Sequence, residues 1–302
     1  MPTRNGFHVI VIAGPTAIGK TSLAIRLAKE FACEIISADS RQFYSELNIG
    51  VARPTENELS IIKHHFIADR SINDFLSAGQ YAREAREKID ELSKTADRVI
   101  VTGGSGLHLK ALISGIDDGP VVPNELREEL QRAYLSNGLD AMQSQLKSLD
   151  PSLGFDFEWQ NPKRVIRALE IVKSSGKPYL ESFTPAKEIQ WPVKSYTLEM
   201  PREMLYSRIN RRVDKMMEDG LLEEVKSLSE YEDLEVMKTV GYSELFDYLD
   251  GNMNLGEAVD KIKQNSRRYA KRQMTWFRNQ GDFKALSTKS ALNEIKLDSK
   301  SI

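Results

Sequence analysis

The segment Gly14-Pro15-Thr16-Ala17-Ile18-Gly19-Lys20-Thr21 fits the pattern G-x-x-x-x-G-K-[ST] at every defined position. It follows the apolar run Val9-Ile10-Val11-Ile12-Ala13 and precedes Ser22-Leu23-Ala24-Ile25-Arg26-Leu27-Ala28, whose apolar spacing is helical. The order is therefore strand, phosphate loop, helix. In such a loop the glycines let backbone N–H groups turn inward around phosphate oxygens, and the lysine adds a point charge. A pyrophosphate or triphosphate is the expected ligand class, with Gly14 to Thr21 as its candidate residues. The loop alone does not say which phosphate ester enters it.

Short apolar runs recur with helical stretches between them: Phe7 to Ala13, Glu34 to Ala38, Phe66 to Ala68, Arg98 to Thr102 and Tyr196 to Met200. This alternation predicts an α/β fold, a three-layer P-loop core around a parallel sheet. The first, second and fourth of these strands run directly into Gly, Asp or Ser residues, which puts the ligand at the carboxyl edge of the sheet. Eight of the eleven prolines fall between Gly115 and Arg202, where the rhythm changes. Helical spacing over Asn124 to Asn137 and Pro162 to Ser174 predicts a mostly helical insertion domain of about 75 to 80 residues. The expected division is residues 1–116 with 196–302 for the core and 117–195 for the insertion. Leu255 to Arg278 reads as a long basic amphipathic helix, and the tail after Lys284 as polar and frayed.

Composition bounds the class. With 302 residues, 40% hydrophobic and 28% charged, the chain has the make-up of a globular protein. Its longest apolar runs are too short to span a bilayer, so a cytoplasmic protein without a membrane is expected. The single cysteine, Cys33, excludes an intramolecular disulfide and any cysteine-rich zinc site. A formal net charge of −2 hides an uneven distribution: Lys261 to Arg278 holds seven basic residues and no acidic one. A face of that kind suits a polyanion.

Two further sequences carry chemistry. Strand two ends in Ser37-Ala38-Asp39-Ser40-Arg41-Gln42, which puts a carboxylate beside the phosphate loop. It could hold Mg²⁺ through water, accept a substrate proton, or merely cap the next helix. The fourth strand ends in Thr102-Gly103-Gly104-Ser105-Gly106-Leu107-His108, with no Asp between Val99 and Leu109 to bind a metal as an ordinary P-loop ATPase would. Ser105 offers a hydroxyl to an anionic group instead.

The blocks GPTAIGKT, ISADSRQFY, IGVARPT, GGSGLHLKAL, NPKRVIRALE and RRYAKRQMTWFR, in this order from Gly14 to Arg278, resemble the tRNA dimethylallyltransferase family. The resemblance implies that the loop holds dimethylallyl diphosphate and not ATP. It implies transfer of the dimethylallyl group to N6 of the adenosine just 3′ of the anticodon, position 37, in the tRNA anticodon stem-loop. Lys20, the loop N–H groups and Mg²⁺ would stabilise charge on the departing pyrophosphate, with Thr21 giving its hydroxyl to the metal. Asp39 would take the proton from the adenine amine, and Ser105 would stand with it in catalysis. Asp39, Ser40, Arg41, Gln42 and Ser105 would meet the adenine and its neighbours. Further tRNA contacts are implied for Arg127, for Lys163, Arg164, Val165, Ile166 and Arg167, and for Ile262 to Arg267. The chain departs from the family pattern at Ile18, Ser105, His108 and Ser266, where serine, threonine, tyrosine and threonine are usual. Ile18 and His108 change polarity close to the expected pocket, although a histidine at position 108 could equally lie on a helix surface. A monomer is expected. Still open are an adenylate isopentenyltransferase acting on a free nucleotide, a P-loop nucleotide or metabolite kinase, and a non-catalytic RNA-binding module.

Overall fold

Every residue of β1 (His8–Ala13) is buried, and its side chains alternate between two cores. Val9, Val11 and Ala13 enter one cluster, Ile10 and Ile12 the other, as period-two geometry requires of a strand covered on both faces. The computed structural model describes residues 6–115, 119–120, 122–183 and 189–299. In chain order the elements after β1 are α1 (Lys20–Phe31), β2 (Ile35–Ser37), α2 (Glu56–Ile61), β3 (His64–His65), α3 (Ala78–Leu92), β4 (Arg98–Gly103) and α4 (Gly106–Ser114). Then come α5 (Asn124–Leu149), α6 (Pro162–Ser175), β5 (Val193–Glu199), α7 (Arg202–Glu218), α8 (Leu221–Ser227), α9 (Tyr242–Leu249), α10 (Leu255–Asn279), β6 (Lys284–Ser287) and α11 (Ala291–Asp298).

The six strands form one parallel sheet in the order β3-β2-β4-β1-β5-β6. β1 is central, with Val11 opposite Val101 on one side and Ser195 on the other. Tyr81, Ala85, Ile89, Leu109, Leu112 and Phe277 cover one face. Leu23, Leu27, Leu205, Ile209, Ala270 and Ile295 cover the other. A third cluster joins α7, α8, α9 and α10 to Tyr44, Leu47 and Val51 in the loop after β2. The expected three-layer α/β core is what the chain builds.

The chain divides into two compact units, residues 1–114 with 189–302, and residues 115–188. The first expected boundary, between 116 and 117, lies outside the described residues. The second is displaced, because β5 begins at Val193 and residues 193–195, expected in the insertion, pair with β1. The second unit is helical. α5 runs past the expected Asn137 to Leu149 across a kink at Gly138, and α6 starts at Pro162 behind an Asn161 cap. Leu130, Met142, Leu146, Val165, Ala168, Leu169 and Val172 form its core.

Two other expectations need correction. The third strand is His64–His65 and not Phe66–Ala68, because Phe66 (φ 61°) and Ala68 (φ 50°) adopt left-handed conformations that end an extended run. The polar tail is not frayed as far as Ser299, its last described residue: β6 pairs with β5, and α11 buries Ala291 and Ile295 in the core. Asp298 closes it, accepting hydrogen bonds from Lys284 Nζ at 2.8 Å and the Tyr196 hydroxyl at 3.2 Å.

Candidate active site

The carboxyl ends of β1, β2 and β4 open on a cavity of about 510 Å³. Thr16, Ala17, Lys20 and Thr21 of the phosphate loop line it, as do Asp39, Ser40, Arg41 and Gln42 from the turn after β2. α7 contributes Ile209, Arg212, Val213 and Met216, and α10 contributes Ile262, Ser266, Tyr269, Arg272 and Gln273. Cations dominate the charged lining: Lys20, Arg41, Arg53, Arg212, Lys238 and Arg272 against Asp39 and Glu58. An anion is the matching ligand, and the apolar side chains of Ile209, Val213, Met216, Val240 and Ile262 offer a water-poor flank for a hydrocarbon group.

Lys20 Nζ donates to the carbonyl oxygens of Gly14 and Pro15, both at 2.9 Å. Burial pushes its pKa down to about 8; the Asp39 carboxylate opposes this and the Arg212 guanidinium adds to it. Arg212 is likewise lowered by burial, with Asp39 opposing. Its Nη1 donates to Thr16 Oγ1 at 3.2 Å. One carboxylate thus faces two half-buried cations at the phosphate loop.

Asp39 is half-buried, and the local chain fixes it. Its Oδ1 accepts the Arg41 N–H at 3.2 Å, and its own N–H donates to Ser37 Oγ at 3.4 Å. Ser105 braces the same turn: its Oγ accepts the Ser40 N–H at 3.0 Å and lies 3.1 Å from Ser40 Oγ. Gln273, only 6% exposed, ties both glycine-rich loops together. Its Oε1 accepts the Thr16 N–H at 2.8 Å and its Nε2 donates to Gly104 O at 2.9 Å. A Cβ at position 104 would overlap that amide, so the second loop needs glycine for close approach.

Sequence reasoning brought together Thr16, Ala17, Lys20, Thr21, Asp39, Ser40, Arg41 and Gln42, all on this cavity. Ser105 joins them through the Ser40 turn. Gly14, Pro15 and Gly19 shape the loop, whereas Ile18 (1% exposed) points into the core and does not change the polarity of the cavity. His108 is not a surface histidine. Its ring lies 5.7 Å from Phe43 and 5.3 Å from Tyr81, burial drives its pKa down to about 4, and its buried Nε2 has no hydrogen-bond partner among the described residues. Arg267 lies off this cavity and donates to Asn210 Oδ1 at 2.6 Å. In the helical unit Val165 is fully buried, so its side chain has no surface to offer a partner, and Ile166 packs partly against the same core. Arg164 pairs with Glu158 at 2.7 Å and Arg167 with Glu170 at 2.7 Å, while Arg127 approaches Glu170 at 4.0 Å. Lys163 is the second residue of α6, the helix of Arg164 and Arg167.

Arg212, Tyr269 and Gln273 were missed as site residues. Tyr269 keeps 38% of its surface exposed, yet burial of its hydroxyl and the nearby Asp39 raise its pKa to about 12, against Arg41 and Arg272. A signal existed in α10. Ile262, Ser266, Tyr269 and Gln273 recur at steps of four, three and four, so hydroxyl and amide groups occupy a face that should otherwise be apolar.

Among the described residues no three or more His, Cys, Asp or Glu side chains converge as a metal cage. Mg²⁺ needs none, since it keeps several waters and uses one or two protein oxygens beside substrate phosphates. The Thr21 hydroxyl and the Asp39 carboxylate, on one cavity, fit such an ion.

The sequence model of the IPP transferase family matches residues 42–280. A tRNA dimethylallyltransferase 1 of Bacteroides thetaiotaomicron is 46% identical over 279 residues, covering 92% of this chain and 89% of that protein. A tRNA dimethylallyltransferase of Flavobacterium johnsoniae is 44% identical over 299 residues, covering 95% and 96%. The crystal structure of a full-length tRNA isopentenylpyrophosphate transferase from Bacillus halodurans superposes with a TM-score of 0.71 at 36% identity, over 97% of this chain and 96% of that one. A eukaryotic dimethylallyltransferase acting on tRNA gives a TM-score of 0.76 at 27% identity, over 93% and 74%.

Proposed function

This chain belongs to the IPP transferase family, and from that premise we propose that it is a tRNA dimethylallyltransferase. It transfers the dimethylallyl group of dimethylallyl diphosphate to N6 of the adenosine 3′-adjacent to the anticodon, position 37, and releases diphosphate. The observation that carries this reading is one cavity in which Lys20, Arg212 and Thr21 face Asp39 beside an apolar flank. The allylic C–O bond breaks, its electron pair leaves on the diphosphate, and the N6 lone pair closes on the allylic carbon. Loop N–H groups, Lys20 and Arg212 stabilise the charge on the leaving group as it grows. The N6 proton, acidic only as the new N–C bond forms, passes to Asp39. Thr21 and, through water, Asp39 would hold Mg²⁺, which supplies further charge neutralisation at the departing diphosphate.

An adenine stacked in the anticodon loop cannot reach a cavity of this kind, so the base leaves the stack to enter it. Ser40, Arg41 and Gln42, which line the cavity, would meet it, with Ser105 bracing their turn. Arg127, Lys163, Arg164, Ile166 and Arg167 would supply tRNA-contacting surface on the helical unit, and Arg267 of α10 would do so on the core unit. Replacing Arg164 and Arg167 together with glutamine is expected to weaken tRNA binding and lower its salt slope by about one for each phosphate no longer neutralised, with donor affinity unchanged. Filter binding between low and moderate salt measures it; an unaltered slope removes these arginines from the interface.

No described helix is long and apolar enough to cross a membrane; a cytoplasmic, monomeric enzyme is part of the proposal. The decisive test is incubation with labelled dimethylallyl diphosphate and either tRNA or AMP, followed by nucleoside analysis. Label in N6-(dimethylallyl)adenosine of tRNA supports the proposal. Label in AMP alone replaces it with an adenylate isopentenyltransferase, and ATP turnover dependent on a phosphoryl acceptor with a kinase.

A further inference from the structure

Beyond the phosphate loop the cavity is walled by Gly50, Val51, Ala52, Arg53 and Pro54, a loop without regular structure. Two side chains hold its backbone. From within the cavity, Gln42 Nε2 donates to Val51 O at 3.2 Å and Ala52 O at 3.0 Å. From behind, the Glu224 carboxylate of α8, which does not line the cavity, accepts the Ile49 N–H on Oε2 at 2.7 Å and the Gly50 N–H on Oε1 at 3.0 Å. The fully buried Tyr242 donates its hydroxyl to the same Oε1 at 2.6 Å. Tyr242 also sets the approach distance: a Cβ at Gly50 would stand 2.5 Å from its ring. Ala52 takes a left-handed conformation (φ 46°), so the loop holds a shape that its own sequence does not favour.

We propose that Glu224, with Tyr242, is a positioning residue for the acceptor nucleotide, acting through the Ile49–Ala52 backbone and Gln42. The proposal rests on the function read above and deepens it. Gln42 links the loop to the turn that carries Asp39, since the Gln42 N–H donates to Asp39 O at 3.0 Å. The phosphate loop is held by other groups, Gln273 and Arg212. Disturbing Glu224 therefore moves the wall facing the adenine and leaves the diphosphate cradle in place. In Glu224→Gln one of the two oxygens becomes an N–H₂ group, which cannot accept either backbone N–H. One loop donor loses its partner whichever way the amide turns.

Steady-state rates with tRNA and dimethylallyl diphosphate test this on wild type, Glu224→Gln, Tyr242→Phe and, as control, the exposed Glu223→Gln. The expected result is a rise in KM for tRNA of about tenfold in Glu224→Gln, the effect of one buried donor left unpaired, and a smaller rise in Tyr242→Phe. KM for the donor stays at the wild-type value in both, and Glu223→Gln matches wild type throughout. Tyr242→Phe keeps the ring against Gly50 and carries the test should Glu224→Gln not fold. Unchanged KM for tRNA in Tyr242→Phe, or equal rises for both substrates in either variant, overturns the proposal. Absence of transfer by the wild type rejects the function itself, and is seen before any variant is compared.

Discussion

Asp39→Asn is expected to lower kcat for prenyl transfer by about 10² or more at pH 7, within the usual contribution of a general base, while tRNA binds as before. Asparagine keeps an oxygen to accept the Arg41 N–H, so the Asp39–Gln42 turn survives and the loss reports on the proton and not on the fold. The same substitution removes the negative charge that holds up the Lys20 pKa. Rates are therefore also compared below pH 7, so that a lowered Lys20 pKa in the variant does not mimic the loss of the base. Single-turnover rates with saturating donor isolate the chemical step. A variant that reacts at the wild-type rate would strip Asp39 of the role of base, and a variant that loses tRNA affinity in proportion would make it a binding residue.

How much of this site could be read from the chain depended on how local its determinants are. The phosphate loop and the turn after β2 are each set by adjacent residues, so Lys20, Thr21 and Asp39 emerged directly, and nearly continuous apolar runs such as Val9–Ala13 and Val99–Val101, separated by helical stretches, announced the parallel sheet. Residues that reach the cavity from α7 and α10 depend on how helices distant in sequence pack over the sheet edge. Arg212 lies beside the core stripe Leu205, Ile209 and Val213, and nothing nearby distinguishes it from a solvated arginine. Gln273 had a local signal, an amide on an apolar face, but its partners Thr16 and Gly104 are 257 and 169 residues away. His108 was misread because burial against Phe43 and Tyr81 is a tertiary fact. β6 was missed for a related reason: four residues, Lys284 to Ser287, become a strand only because the edge of β5 is there to pair with.

Removing the phosphate-loop charge should have the second large effect. Lys20→Ala is expected to lower kcat/KM for dimethylallyl diphosphate by about 10²–10³, the range seen when one preorganised stabiliser of developing negative charge is deleted. Tritiated tRNA should bind as in the wild type. The pH dependence identifies the group. Only the ammonium form of Lys20 attracts the diphosphate, and burial has brought its pKa down to about 8. Donor affinity should therefore be full below that value and weaken as pH rises through it, approaching about tenfold per unit above it. Binding the anion favours the protonated lysine, so donor uptake near pH 8 takes up a proton and this slope disappears in Lys20→Ala, whose remaining pH dependence belongs to the donor itself. In Asp39→Asn the opposing carboxylate is gone and the break should move to lower pH, which couples the two predictions. Calorimetric titrations at several pH values in buffers of different ionisation enthalpy measure both the affinity and the proton. A donor affinity flat from pH 7 to 9 in the wild type would show that Lys20 is not the titrating group.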